Sequence, residues 1–138
     1  METLAQSPEI HWLAWTCLVT AVMWVPYILV HLAETGPVKA VVQPSVDTTP
    51  RATWAVRAKK AHANAVENLA VFAPLALAVA ATGTGSATTA SACLVYFIAR
   101  LVHYPAAIVA VPLVRTLSFV VGSVCQIILA VALIGAMS

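Results

Sequence analysis

The sequence predicts an all-α protein, a four-helix transmembrane bundle, and three observations carry that expectation. First, 62% of the 138 residues are hydrophobic and 9% are charged, whereas a soluble domain is about half apolar and roughly a quarter charged. Seven Lys or Arg and five Asp or Glu cannot coat a water-soluble globule of this length. Second, the mean hydropathy is +0.94. Third, the apolar residues gather into four stretches, near 10–32, 54–82, 87–109 and 112–137, each able to cross a bilayer at about 20 residues per span. With short connections they make one membrane domain over residues 1–138.

The first span contains no Asp, Glu, Lys or Arg and carries Trp12, Trp15, Trp24 and Tyr27 towards its ends, where aromatic anchors sit. Pro26 is expected to kink it, and His11 and His31 fall at its watery borders. The leading segment holds Glu2 but no Lys or Arg, so the basic region of a cleaved signal peptide is missing and the span is expected to be retained. From Ala33 to Thr53, Gly36, Pro37, Pro44 and Pro50 give the composition of a loop, and Thr53 is placed to cap the next helix. The second span starts polar on one side near Trp54 and is apolar from Leu69 to Ala81 except for Pro74. Gly83-Thr84-Gly85-Ser86 turn the chain into the third span. Val111-Pro112 turn it into the fourth, with Pro112 suited to a first helical position. Short turns make sequential helices antiparallel neighbours. Cys17, Cys93 and Cys125 lie far apart in apolar stretches without metal-ligand spacing, so all three are expected in the core and no metal is expected.

All seven cations, Lys39, Arg51, Arg57, Lys59, Lys60, Arg100 and Arg115, lie in or beside the first and third connections. By the positive-inside rule that side faces the cytoplasm and both termini face away from it. A net charge of +2 without a long basic run excludes nucleic acid as a partner. Membrane lipids are the surroundings the composition demands.

The chemistry concentrates in the same half. Arg57, Lys60, Asn64 and Glu67 follow at i, i+3, i+7 and i+10, one helical stripe about 15 Å long. Glu67 precedes a fully apolar run, and a carboxylate at that depth needs a partner or water. Arg100 and His103 present a polar face on span three, and Arg115 another on span four. Glu67 and Arg100 are expected to pair. Four cations would then face one carboxylate, a surplus that suits an anionic ligand. Lys59 is expected to snorkel to lipid phosphates. The polar side chains could instead serve only as interhelical glue. An ion or proton path through Glu67 and His103 fits less well, because the polar residues stop halfway across.

The string Lys60-Ala-His62-Ala-Asn64-Ala-Val-Glu67-Asn68, followed by Phe72 and Pro74, resembles the second-helix signature of the MAPEG proteins, membrane-associated proteins in eicosanoid and glutathione metabolism. Arg100-Leu-Val-His103 and Pro112-Leu-Val-Arg115-Thr-Leu-Ser-Phe119 resemble the family's third- and fourth-helix signature, in the same order. The resemblance, to a bacterial-type member, covers most of the chain from Arg51 onward. It implies a left-handed bundle assembled as a homotrimer, multi-pass in a bacterial inner membrane, with glutathione held between subunits near the cytoplasmic face. Arg57, Lys60, His62, Asn64, Glu67, Arg100 and His103 fall in the implied glutathione site. Arg100 and Lys60 would hold carboxylates and Glu67 the amino group. Arg115 matches the arginine that activates the thiol. Lys60 stands where arginine is usual in eukaryotic members and lacks its bidentate fork. Ala63 stands where some members have a second arginine, and Ala107 where many carry a tyrosine that contacts glutathione.

The function so implied is a glutathione-dependent transferase or peroxidase acting on hydrophobic electrophiles. The alternative is a non-enzymatic membrane subunit of a larger complex that keeps the fold without tight glutathione binding.

Overall fold

The computed structural model describes residues 4–42 and 47–138; Glu2 and Pro44, read above from composition alone, lie outside them. Among the described residues there is no strand. A 3-10 turn at Leu4–Gln6 leads into α1 (Pro8–Val22), α2 (Val25–Thr35), α3 (Pro37–Val42), α4 (Thr53–Ala81), α5 (Ala87–Ile108) and α6 (Pro112–Gly135). Four apolar lengths can cross a membrane: Pro8–Thr35, made by α1 and α2 together, and α4, α5 and α6. No more than 44% of any of these apolar windows is buried inside the chain. The Val, Leu and Ile left outside form a surface suited to hydrocarbon, so the chain is an integral membrane protein.

The first span is interrupted as its proline dictates. Pro26 has no N–H for a carbonyl one turn back, and its ring crowds that turn; the helix breaks at Met23–Trp24 and Pro26 lies in the first turn of α2. Inside a membrane the exposed carbonyls need partners from elsewhere. Tyr104 of α5 donates its hydroxyl to the Met23 carbonyl at 2.7 Å. Tyr27, one residue past Pro26, bonds His62 Nδ1 of α4 at 2.9 Å.

The connection after α2 is less irregular than its composition suggests. Gly36, at φ 87°, ends α2 in a conformation that favours glycine, and Pro37 then starts the short α3. Thr53 does not cap α4. The cap position is Ala52, without a side-chain bond. Instead the Glu34 carboxylate, from the end of α2, accepts the backbone N–H groups of Arg51 and Ala52 at 2.7 and 3.1 Å. A carboxylate at a helix N-terminus meets both the open donors and the favourable end of the helix dipole. Lys59 reaches back to Asp47 at 3.9 Å and to the Thr49 hydroxyl at 2.9 Å. The hydrogen bonds from Thr49 hold the Asp47 carboxyl below its ordinary range.

At the opposite end, α4 closes with Gly83 at φ 67°; Thr84 N–H returns to Val79 O at 3.2 Å and Gly83 N–H to Ala80 O at 3.3 Å. Ser86 and Thr89 then form a reciprocal capping box on α5. Thr89 donates to Glu9 Oε1 at 2.6 Å and Ser7 to Oε2 at 2.6 Å. Glu9 is thereby buried and pins the start of α1 to the α4–α5 turn.

α5 packs against α1, α4 and α6 and is the hub of the bundle. Phe72 of α4 and Tyr96 of α5 stack with centroids 3.8 Å apart inside a core completed by Leu13, Val79, Cys93, Cys125 and Leu129. Two of the cysteines are core residues as expected, but Cys17 is exposed, on a face of α1 that no other helix covers. On α4 the buried residues Ala55, Ala58, Ala61, Ala65, Phe72, Ala76 and Val79 recur every three or four positions. The small side chains let the backbones approach closely, the usual basis of helix packing in lipid.

Tyr104→Phe should lower stability in detergent by about 1–2 kcal/mol, since it leaves the Met23 carbonyl without its donor at the break. Thermal unfolding would show it; an unchanged midpoint would mean the carbonyl is satisfied in another way.

Candidate functional site

The stripe of α4 beside its buried alanines faces an open cavity. Arg57, Lys60, Ala61 and Asn64 of α4, His103 and Ala107 of α5, and Arg115, Thr116 and Phe119 of α6 line about 320 Å³. Five residues selected from the sequence, Arg57, Lys60, Asn64, His103 and Arg115, therefore meet in one place. The turn 109–111 between α5 and α6 makes this possible, because it brings His103 beside the first turn of α6. Ala110 adopts φ 59° there, a conformation costly for a residue with a Cβ.

The cations differ in how far they are held. Arg57 donates from Nε to the Ile108 carbonyl at 2.7 Å, which ties α4 to the end of α5. The side chains of Lys60 and Arg115 are exposed and have no partner among the described residues. Arg100 sits behind the cavity wall, 3% exposed. Its Nη1 donates to Asn64 Oδ1 at 3.2 Å and its Nη2 to the Ser118 carbonyl at 3.4 Å. Its guanidinium carbon lies 5.6 Å from the Tyr96 ring centroid and 5.9 Å from that of Phe119, distances at which aromatic faces stabilise a cation. Its Nε has no partner.

The expected pair of Glu67 with Arg100 does not form within the chain. The ion pair among the described residues is Lys59 with Asp47. Glu67 is exposed on α4 and lies outside the cavity lining. The reason is geometric: Arg100 points into the α4–α6 seam and meets Asn64, while Glu67 continues the stripe onto the outer face of α4. His62 also lies away from the cavity, held by Tyr27.

A MAPEG family model matches residues 10–135. The chain belongs to the MAPEG family. A search of curated proteins and of solved structures yields no match. In this MAPEG protein Ala107, the position of a tyrosine in many members, opens onto the cavity and leaves it without a phenol. Tyr104 does not replace that group, since its hydroxyl is committed to Met23 on the other side of α5.

Sequence reasoning missed Ser118 and Gly122. Ser118 donates to the Arg115 carbonyl at 3.0 Å, and the same carbonyl lies 3.1 Å from His103 Nδ1. Ser118 lies three residues after Arg115, one helical turn on, and stands within the fourth-helix string, but neither signal named its role. Gly122 has no signal of its own. A Cβ there would lie 2.9 Å from Arg100 Nη2, so the glycine is the space the guanidinium occupies.

Gly122→Ala should therefore displace Arg100 and destabilise the bundle by about 1–3 kcal/mol through overpacking. Chemical or thermal unfolding in micelles measures this. A wild-type midpoint would show that Arg100 is free to move aside.

Proposed function

We propose that the cavity binds glutathione as a cosubstrate, and that the protein is a glutathione-dependent transferase or peroxidase acting on hydrophobic electrophiles from the bilayer. The observation that carries this is the set of cations without carboxylates: Arg57, Lys60 and Arg115 line the cavity, Arg100 backs it, and no acidic side chain among the described residues lines it. Such a donor set fits a ligand with carboxylates and a sulfur that becomes negative. Lys60 and Arg57 are placed for the carboxylates. Arg115, exposed in the first turn of α6, would stabilise the thiolate and so favour its formation at neutral pH.

Glu67 supports assembly with further copies. An exposed carboxylate midway along a membrane-spanning helix is costly against lipid, by several kcal/mol, and a neighbouring subunit would cover it. We infer a homotrimer in which Glu67 meets the ligand's amino group from across an interface. The cationic end faces the cytoplasm of a bacterial inner membrane, and both termini face away. The second reading, a non-enzymatic membrane subunit within a larger complex, is favoured by the Arg100–Asn64–Ser118 lattice, which already uses the polar groups as helix-to-helix glue.

Calorimetry on detergent-purified protein should detect glutathione binding at millimolar Kd or tighter. Arg115→Met should retain binding within roughly tenfold yet lose about 10²-fold or more in conjugation rate. No binding favours the non-enzymatic reading, and full activity in Arg115→Met removes the assigned role. Native mass spectrometry in mild detergent should show three copies; a persistent monomer would contradict the interface at Glu67.

A further inference from the structure

Nearly every polar side chain on the cavity wall donates hydrogen bonds. Arg57, Lys60 and Arg115 have no lone pair to offer, and the Asn64 side-chain oxygen is already taken by Arg100. Apart from the Thr116 hydroxyl and the second lone pair of the Asn64 oxygen, the remaining side-chain acceptor is His103. Its Nδ1 lies 3.1 Å from the Arg115 carbonyl oxygen, an atom that can only accept, so in the neutral ring Nδ1 carries the hydrogen and Nε2 the lone pair. Nε2 has no partner among the described residues and is not among the sealed, unsatisfied atoms of the interior. Ser118 Oγ completes the fixture, 3.3 Å from Nδ1 and 3.0 Å from the same carbonyl.

We propose that His103 Nε2 accepts the proton of the ligand's thiol, and that Ser118 is the residue that positions its ring. The inference deepens the glutathione reading and rests on it. The S–H bond breaks, its proton passes to Nε2 and its electron pair stays on sulfur, facing Arg115. Imidazolium and thiolate form together, so the cavity's net charge is unchanged. That matters in a cavity that Arg57 and Lys60 of α4 and Arg115 of α6 line with His103, that Arg100 of α5 backs, and that no carboxylate among the described residues lines. The sulfur pair then forms the bond to the electrophilic carbon. The departing group leaves with the old bonding pair and takes the proton back from His103.

His103→Asn separates the two roles of the ring, since the amide N–H can still meet the Arg115 carbonyl while the Nε2 lone pair is gone. The full chain in detergent is titrated with glutathione, with S-methylglutathione as control. The ultraviolet thiolate band is followed alongside the protons released to solvent, read from calorimetry in buffers of different ionisation enthalpy. The wild type should form thiolate with little proton release. His103→Asn should bind glutathione but show roughly tenfold less thiolate at neutral pH, or release a full proton for each thiolate formed. Ser118→Ala should shift in the same direction, with Ser118→Thr restoring wild-type behaviour. A wild-type band and proton count in His103→Asn overturns the proposal; if that variant does not fold, the same result in Ser118→Ala overturns it. Absence of glutathione binding to the wild type overturns the cosubstrate reading and this inference with it.

Discussion

A guanidinium buried among transmembrane helices, with no carboxylate among the described residues to neutralise it, governs one half of this molecule. Arg100 is held by the Asn64 amide, the Ser118 carbonyl and two aromatic faces. Dipoles and rings replace a counterion, and Gly122 supplies the room. A buried charge so arranged is strongly destabilising if one partner is lost. It also leaves positive potential on the wall of the cavity next to it. With Arg57, Lys60 and Arg115 on the rim, the structure concentrates positive charge where three helices meet, and no acidic side chain among the described residues lines the cavity to quench it.

The other end of the bundle uses the opposite solution. Glu9 is buried with no cation bonded to it among the described residues, but both its oxygens accept hydroxyls, and Gly85 lets it lie against the start of α5. The carboxylate sits at the N-terminal end of α1 and beside that of α5, where helix dipoles favour negative charge. The two ends are therefore electrically distinct. At one end hydroxyls satisfy the Glu9 carboxylate, and at the other Lys60 and Arg115 stay exposed and positive.

The fold was legible in the sequence because its signals are compositional: long apolar runs, prolines at helix starts and glycines in turns. Pro26 marked the break in the first span and Pro112 the start of α6, since both act through the backbone alone. Thr53 misled, because a hydroxyl at a helix start is a local signal and Glu34, distant in sequence, fills that role. The cavity was half legible. Helical spacing placed Arg57, Lys60 and Asn64 on one stripe, but it could not fix which partner Arg100 would choose. Rotation of α4 against α5 decides that choice, and it selects Asn64 over Glu67. His62 shares the family string with Asn64 yet faces α2, a difference of direction that adjacency in sequence hides. The roles of Ser118 and Gly122 were not legible because they are defined by what packs against them. Family membership adds chemistry that no spacing rule contains, and Ala107 shows where this chain departs from the common pattern.

The proposed anion site is built by cations that no carboxylate among the described residues neutralises. The most direct measurement is the thermal stability of the purified protein across a ligand series at fixed ionic strength: glutathione, its diester with both carboxylates blocked, and sulfate. A ligand that binds only the folded state raises the unfolding midpoint with its concentration. The midpoint should rise with glutathione, rise less with sulfate and stay unchanged with the diester. Equal stabilisation by the diester, or none by either anion, would contradict the account.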